Sequence, residues 1–198
     1  MRKTEKTERT VQIPTVAQLE KELRRERYRR NYSRVLRSTL FTLVSVAAVA
    51  VLIAMLFLPV LQIFGSSMTP CLEDGDIVVT VKQREFQQGD VISFYYNNKI
   101  LVKRVIAFPG DWVNLDAEGN VYVNNQLIDE PYLTERAFGD VNIELPYQVP
   151  PGKLFVMGDH RSTSADSRNT AVGCVAEEQI VGKMILRVWP FNAISWIK

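Results

Sequence analysis

Three segments carry the side chains that could do chemistry. Ser66-Ser67-Met68-Thr69-Pro70 sets two serines in a turn-forming stretch. Ser67 would act as a nucleophile only beside a group able to take its proton, and its own backbone N–H could help hold an oxyanion. Lys103 lies in Lys99-Ile100-Leu101-Val102-Lys103-Arg104-Val105-Ile106, where strand alternation puts Leu101, Lys103 and Val105 on one face. A lysine on an apolar face loses hydration of its charged form. The same loss lowers its pKa toward what a general base needs. An edge-strand lysine snorkelling to water would give the same pattern. The third segment, Gly158-Asp159-His160-Arg161-Ser162-Thr163-Ser164-Ala165-Asp166-Ser167-Arg168, packs two Asp, two Arg and several hydroxyls together. That mixture suits either a stiff loop that positions a neighbouring group or an ordinary structural turn. His160 is the sole histidine, so a triad of Ser67, His160 and an aspartate stays open as an alternative.

The rest of the chain must place these segments. It has 198 residues, 46% of them hydrophobic, with 24 Lys+Arg against 22 Asp+Glu. That composition excludes disordered, collagen-like and disulfide-dense classes. One His and two Cys cannot build the usual four-ligand structural zinc site. A net charge of +2 gives no reason to expect nucleic acid. The charge is unevenly distributed. Residues 1–37 hold twelve basic and five acidic side chains, a net of +7, and the remainder nets −5. Between them Ser38 to Phe64 is uncharged over 27 residues. As a helix this run would extend roughly 40 Å, more than the roughly 30 Å of a bilayer core, and it reads as one membrane span, 38–64. It far exceeds the h-region of a cleaved signal, so an uncleaved anchor is expected. The arginines before it, with no charge after it until Glu73, leave residues 1–37 cytoplasmic and send 65–198 outside as one domain in a single-pass cell-membrane protein. The basic arm either rests on anionic lipid or is simply solvated.

After Phe64 the pattern turns to short β-branched and aromatic runs between turn signals. Strands are expected over 77–81, 91–96, 100–106, 112–115, 121–123, 154–157 and 180–189. Asn97-Asn98 makes a hairpin, and a long irregular loop covers 129–153. The outer domain therefore reads as mainly β. Trp189, Phe191, Trp196 and Ile197 near the end either close the core or touch the membrane interface. Cys71 and Cys174 face an oxidising compartment, yet two free thiols are expected, because sequence gives no sign that they approach.

Taken in order, the membrane anchor, Ser67-Met68-Thr69-Pro70, Gly75-Asp76, Lys103-Arg104 through Pro109-Gly110-Asp111, and Gly158 through Arg168 resemble the type I signal peptidase family, in its compact single-anchor Gram-positive form. The resemblance runs from the anchor to near residue 190 and includes Gly173 and Gly182. It implies an antiparallel, barrel-like β domain and a serine endopeptidase that removes signal peptides from exported preproteins after a small-x-small site. It further implies Ser67 as nucleophile, Lys103 as general base, Ser164 as a hydrogen-bond partner orienting the lysine ammonium, and Asp166 with Arg168 holding the loop that carries Ser164. Preproteins and the lipid bilayer are the implied partners, with room for the secretion translocon; no nucleic acid, metal or organic cofactor is implied. Cys71 stands where the family usually has Thr. Gly65 stands where some members have an oxyanion-hole serine, and His160 and Ser162 replace residues that are often Asn and Asp.

Overall fold

A computed structural model describes residues 15–197. Arg2, Lys3, Glu5, Lys6, Glu8 and Arg9 of the basic arm lie outside the described residues. The chain divides into two compact units, residues 1–53 and 54–198.

The first unit is built on helix α1 (Val16–Phe57). Ala, Leu, Arg and Glu recur through this stretch, and neither Gly nor Pro interrupts it. Its best 18-residue window has a mean hydropathy of 2.1 and no buried share. The uncharged run, expected to continue as one span to Phe64, leaves the helix at Phe57. Pro59 bars the residue before it from helical backbone, and the chain emerges extended. The helical part from Ser38 to Phe57 still reaches about 30 Å, the thickness of a hydrocarbon core.

The second unit is antiparallel β, as the sequence predicts. Its strands are β1 (Val60–Gln62), β2 (Ile77–Val81), β3 (Val91–Tyr96), β4 (Lys99–Ala107), β5 (Trp112–Leu115), β6 (Val121–Val123), β7 (Gln126–Leu127), β8 (Tyr147–Gln148), β9 (Lys153–Met157), β10 (Val175–Ala176), β11 (Ile180–Trp189) and β12 (Ser195–Trp196). One sheet runs β1-β2-β11-β3-β4-β9-β10, with β12 added alongside β11; a smaller one runs β7-β6-β5-β8. Asn97, Asn124 and Asn125 all adopt positive φ, which tight hairpin turns require and asparagine tolerates. The loop expected over 129–153 is irregular except for β8. The short β1, β7, β10 and β12 escape the sequence pattern, because two or three residues show no period. Cys71 and Cys174 are free thiols.

Three apolar clusters fill the domain. Ile106, Val113, Phe155 and Met157 join the two sheets. Ile63, Met68, Leu72, Val78 and Met184 pack under β1 and β2. Ile92, Phe94, Val105 and Val156 line the other face of the long sheet. The register of β4 sets the surroundings of Lys103. It pairs with β3 from Lys99 to Arg104, but with β9 only from Arg104 to Ala107. Residues 99–103 therefore keep one edge open, while burial is continuous from Lys103 onward.

Close packing between β11 and β2 depends on Gly182. A Cβ there would come 2.6 Å from the Val81 carbonyl oxygen and 3.0 Å from its carbonyl carbon, both fixed backbone. Gly182→Ala is expected to lower stability by about 1–3 kcal/mol, the usual penalty for overpacking, read from thermal unfolding in detergent. An unchanged midpoint would mean that the two strands part without penalty.

Candidate active site

Between β1 and β2 the chain folds back on itself. The Ile63 N–H donates to the Asp76 carbonyl at 2.8 Å, and the Gly75 N–H to the Ile63 carbonyl at 2.9 Å. Within the closed loop Met68 and Leu72 point into the core, joined by one helical hydrogen bond of 2.9 Å. Ser67, next to the buried Met68, is left half-buried at the rim. Lys103 comes to it from β4. Its Nζ lies 2.7 Å from Ser67 Oγ, and the lysine is 2% exposed. Burial lowers the Lys103 pKa from 10.5 to about 8. Asp166 and Asp159 act against the fall, and Arg168 adds to it. A neutral amine at that distance can take the serine proton directly.

The loop from Gly158 to Arg168 surrounds this pair and is held by three buried arginine–carboxylate pairs. Arg104 grips Asp159 with two hydrogen bonds of 2.9 and 2.7 Å, donates to the Gly89 carbonyl at 2.6 Å, and lies 3.8 Å from the centre of the Tyr132 ring. Arg161 grips Glu130 with two hydrogen bonds, and the Tyr132 hydroxyl donates to the same carboxylate at 3.1 Å. Burial pushes the Tyr132 phenol well above its ordinary pKa, so it stays a donor. Arg168 grips Asp166 at 2.8 and 2.9 Å and donates to the carbonyls of Phe138 at 2.8 Å and Arg161 at 2.9 Å. Asp166 also accepts the Gly158 N–H at 3.0 Å. The loop grips the serine residue too, since the His160 N–H donates to the Ser67 carbonyl at 3.1 Å.

The structure thus brings Ser67 and Lys103 together and sets Asp166 and Arg168 behind them as one pair. Ser164 is a different case. It is 2% exposed, and among the described residues its Oγ has no hydrogen-bond partner, so the expected bond to the lysine is not formed. It nevertheless lies against this centre. A Cβ on Gly158 would strike Ser164 Oγ and stand 2.5 Å from the Ser67 carbonyl oxygen. The triad alternative is not built either. His160 Nδ1 lies 2.7 Å from Thr163 Oγ1, and Ser67 Oγ belongs to Lys103. Sequence reasoning missed Glu130 and Tyr132. They sit in a proline-bearing stretch of ordinary turn composition, and only the fold reveals their partners. Among the described residues no group of His, Cys, Asp or Glu is placed to hold a metal.

A cleft of about 780 Å³ opens beside Ser67, bordered by residues 60–65 and 99–102. β1 pairs with β2 alone, and residues 99–103 lack a partner on one side, so two strand edges border the cleft. Another hollow of about 700 Å³, between residues 82–86 and 177–181, touches none of these groups.

Comparison with known proteins gives a consistent result. The model of the family described as signal peptidase, peptidase S26 matches residues 36–189. The signal peptidase I of Bacillus licheniformis is 35% identical over 176 residues, covering 80% of this chain and 93% of that protein. The signal peptidase IB of a Staphylococcus aureus strain, MRSA252, is 38% identical over 152 residues, covering 67% and 78%. A crystal structure of a signal peptidase I from Enterococcus faecalis aligns with a TM-score of 0.44 at 26% identity, over 52% of this chain and 98% of that one.

Lys103 should also leave a mark on stability. Its pKa is about 8 in the fold against 10.5 normally, so between those values the unfolded chain holds a proton that the folded chain lacks. Stability contributed by this site therefore rises from about pH 8 to about pH 10.5, and the full burden is carried below pH 8. Lys103→Met is expected to raise the unfolding temperature by several degrees at pH 6.5, with a smaller gain at pH 10. A gain equal at both pH values would show that burial of the charge is not its cause.

Proposed function

The chain belongs to the signal peptidase, peptidase S26 family, and from that membership we propose a membrane-anchored serine endopeptidase that removes N-terminal signal peptides from exported preproteins. The observation that supports the chemistry best is the buried Lys103 amine 2.7 Å from the Ser67 hydroxyl. In this reading neutral Lys103 takes the Oγ proton as Ser67 attacks the scissile carbonyl. The ammonium so formed returns the proton to the leaving amine, and an ester to Ser67 remains. Lys103, neutral again, then takes a proton from the water that hydrolyses the ester. Ser164, packed beside this centre with an unpaired Oγ, accepts from the ammonium during the step in which it carries charge. Asp166 and Arg168 hold the loop that presents it.

The substrate enters extended, its main chain bonding to the open edges of β1 and β4, with the apolar cleft walls taking small side chains at the −1 and −3 positions. Lipid has a surface of its own. By register Val60, Ile77, Val79, Leu186, Trp189 and Trp196 share one face of the sheet, and Trp189 packs edge-on against Phe191 at 4.7 Å. Val60, Trp189, Phe191 and Trp196 are all exposed, which suits a membrane interface. The arginines of residues 24–37 keep the N-terminus cytoplasmic and leave the β domain on the outer side.

Cleavage of a purified preprotein in detergent tests this. The rate is expected to climb with pH through a midpoint near pH 8, where Lys103 loses its proton, and to level off above it. Ser67→Ala and Lys103→Ala should each lower it at least about 10³-fold, while His160→Ala keeps it. Preprotein bound but uncut by the native chain would make this a peptide-binding module. Activity retained in Lys103→Ala would place the base elsewhere.

A further inference from the structure

Arg187 is another largely buried cation, set in a mainly apolar strand that also carries the more exposed Lys183. It lies on β11 opposite Val78, on the inward face of the sheet, with its side chain 18% exposed. Its donors reach both a distant loop and the neighbouring C-terminal segment. Nη1 donates to the Asp76 carboxylate at 3.0 Å and to the Cys71 carbonyl at 3.4 Å. Nε donates to the Ala193 carbonyl at 2.8 Å, and Nη2 to Ser195 Oγ at 3.2 Å. Asp76 is itself 4% exposed and also accepts the Glu73 N–H at 3.0 Å.

One planar group therefore joins two pieces of chain. On one side is the far arm of the loop that carries Ser67; on the other is the turn between β11 and β12. We infer that Arg187 is a positioning residue for the nucleophile, fixing the Cys71–Asp76 arm of the Ser67 loop to the C-terminal turn. The proposal rests on the serine peptidase reading for its kinetic consequence, but the positioning itself is a property of the fold.

The loop needs this second hold. Its two ends are tied to each other through Ile63, Gly75 and Asp76, and its middle is gripped from outside at the Ser67 carbonyl by His160. Buried Met68 and Leu72 add packing to that grip, but packing alone leaves the polar Cys71–Asp76 arm some freedom to shift. The bonds from Arg187, four and nine residues beyond Ser67, remove that freedom. A rigid fork with donors in fixed directions suits the task, and a lysine, as a point charge, could keep Asp76 but not the three other acceptors. Arg187 is also absent from the charges that act on Lys103, so it can move the serine without moving the base's titration.

The test uses the full chain in detergent with Arg187→Met, Arg187→Lys, Asp76→Asn and the double variant Arg187→Met/Asp76→Asn. For Arg187→Met, kcat on a preprotein should fall about 10- to 100-fold, as expected for a displaced reacting group, with KM within about twofold. Arg187→Lys should recover part of the loss, and the double variant should be no worse than Arg187→Met alone. The rise of rate with pH should keep its midpoint near 8. Hydrogen exchange should speed up at the amides of Leu72 and Gly75 and stay unchanged in β4. Unchanged exchange at Leu72 and Gly75 in either folded Arg187 variant overturns the proposal, as does a raised KM with kcat kept, or additive losses in the double variant. If the native chain cuts no preprotein, the peptidase reading fails, and exchange alone still decides whether Arg187 holds the loop.

Discussion

Everything in this domain turns on keeping one amine out of water without giving it a carboxylate of its own. The fall in the Lys103 pKa from 10.5 to about 8 corresponds to about 3 kcal/mol against the charged form. A single free carboxylate at contact distance would return about 4 kcal/mol at the effective dielectric of a protein, enough to cancel it. Two carboxylates do act on Lys103, those of Asp166 and Asp159. Each is already committed to an arginine fork, Arg168 for the first and Arg104 for the second. The three buried ion pairs are poor evidence of stability by themselves, since burying two charges costs about as much as their attraction returns. Their effect here is to spend most of the acidity of the loop internally, so that the lysine stays dry and only partly compensated.

A second demand conflicts with the first. In the proposed reaction the lysine must be buried, yet the serine 2.7 Å away must meet a polypeptide. β4 resolves this along its length. Its pairing passes at Arg104 from β3 on one side to β9 on the other, and it is buried throughout from Lys103; residues 99–103 have a strand on one side only, and residues 99–102 border the cleft. The lysine stands at the junction, its side chain under cover and its neighbours at an open edge. Shifting the register of β4 by one residue would turn Lys103 to the other face and lose both properties at once.

Much of this was legible in the sequence, and the parts that were not have physical reasons. Alternation around Leu101, Lys103 and Val105 marks the lysine as facing the core, and paired asparagines mark the hairpins, because both are local signals. Residues 58–64 are as apolar as the helix before them, so hydropathy alone runs the span through them; only Pro59 hints that Val60 to Gln62 leave the helix for the sheet. The partner of Arg161, Glu130, is 31 residues away in a stretch without periodicity. The order of the loop's charges cannot say which acid meets which base. Ser164 was found by its motif, but its lack of a hydrogen-bond partner is a matter of rotamer and packing that no pattern of residue types encodes.

Lys103 and Arg187 make the same point from opposite directions. Each is a cation inside a mainly apolar strand that carries other cations too, and the sequence signal is similar in kind. The fold answers the two differently because their chemistry differs. A lysine can give up its proton, so burial without a committed partner is tolerable, and burial is what makes it a base. An arginine cannot give up its proton in a protein, so it must be paired, and its donors bring distant segments together to meet them. Arg104, Arg161, Arg168 and Arg187 all do so, each joining a carboxylate to at least one backbone carbonyl. The residue that can lose its charge is the one proposed to carry the chemistry, and those that cannot lose it hold the chain around it.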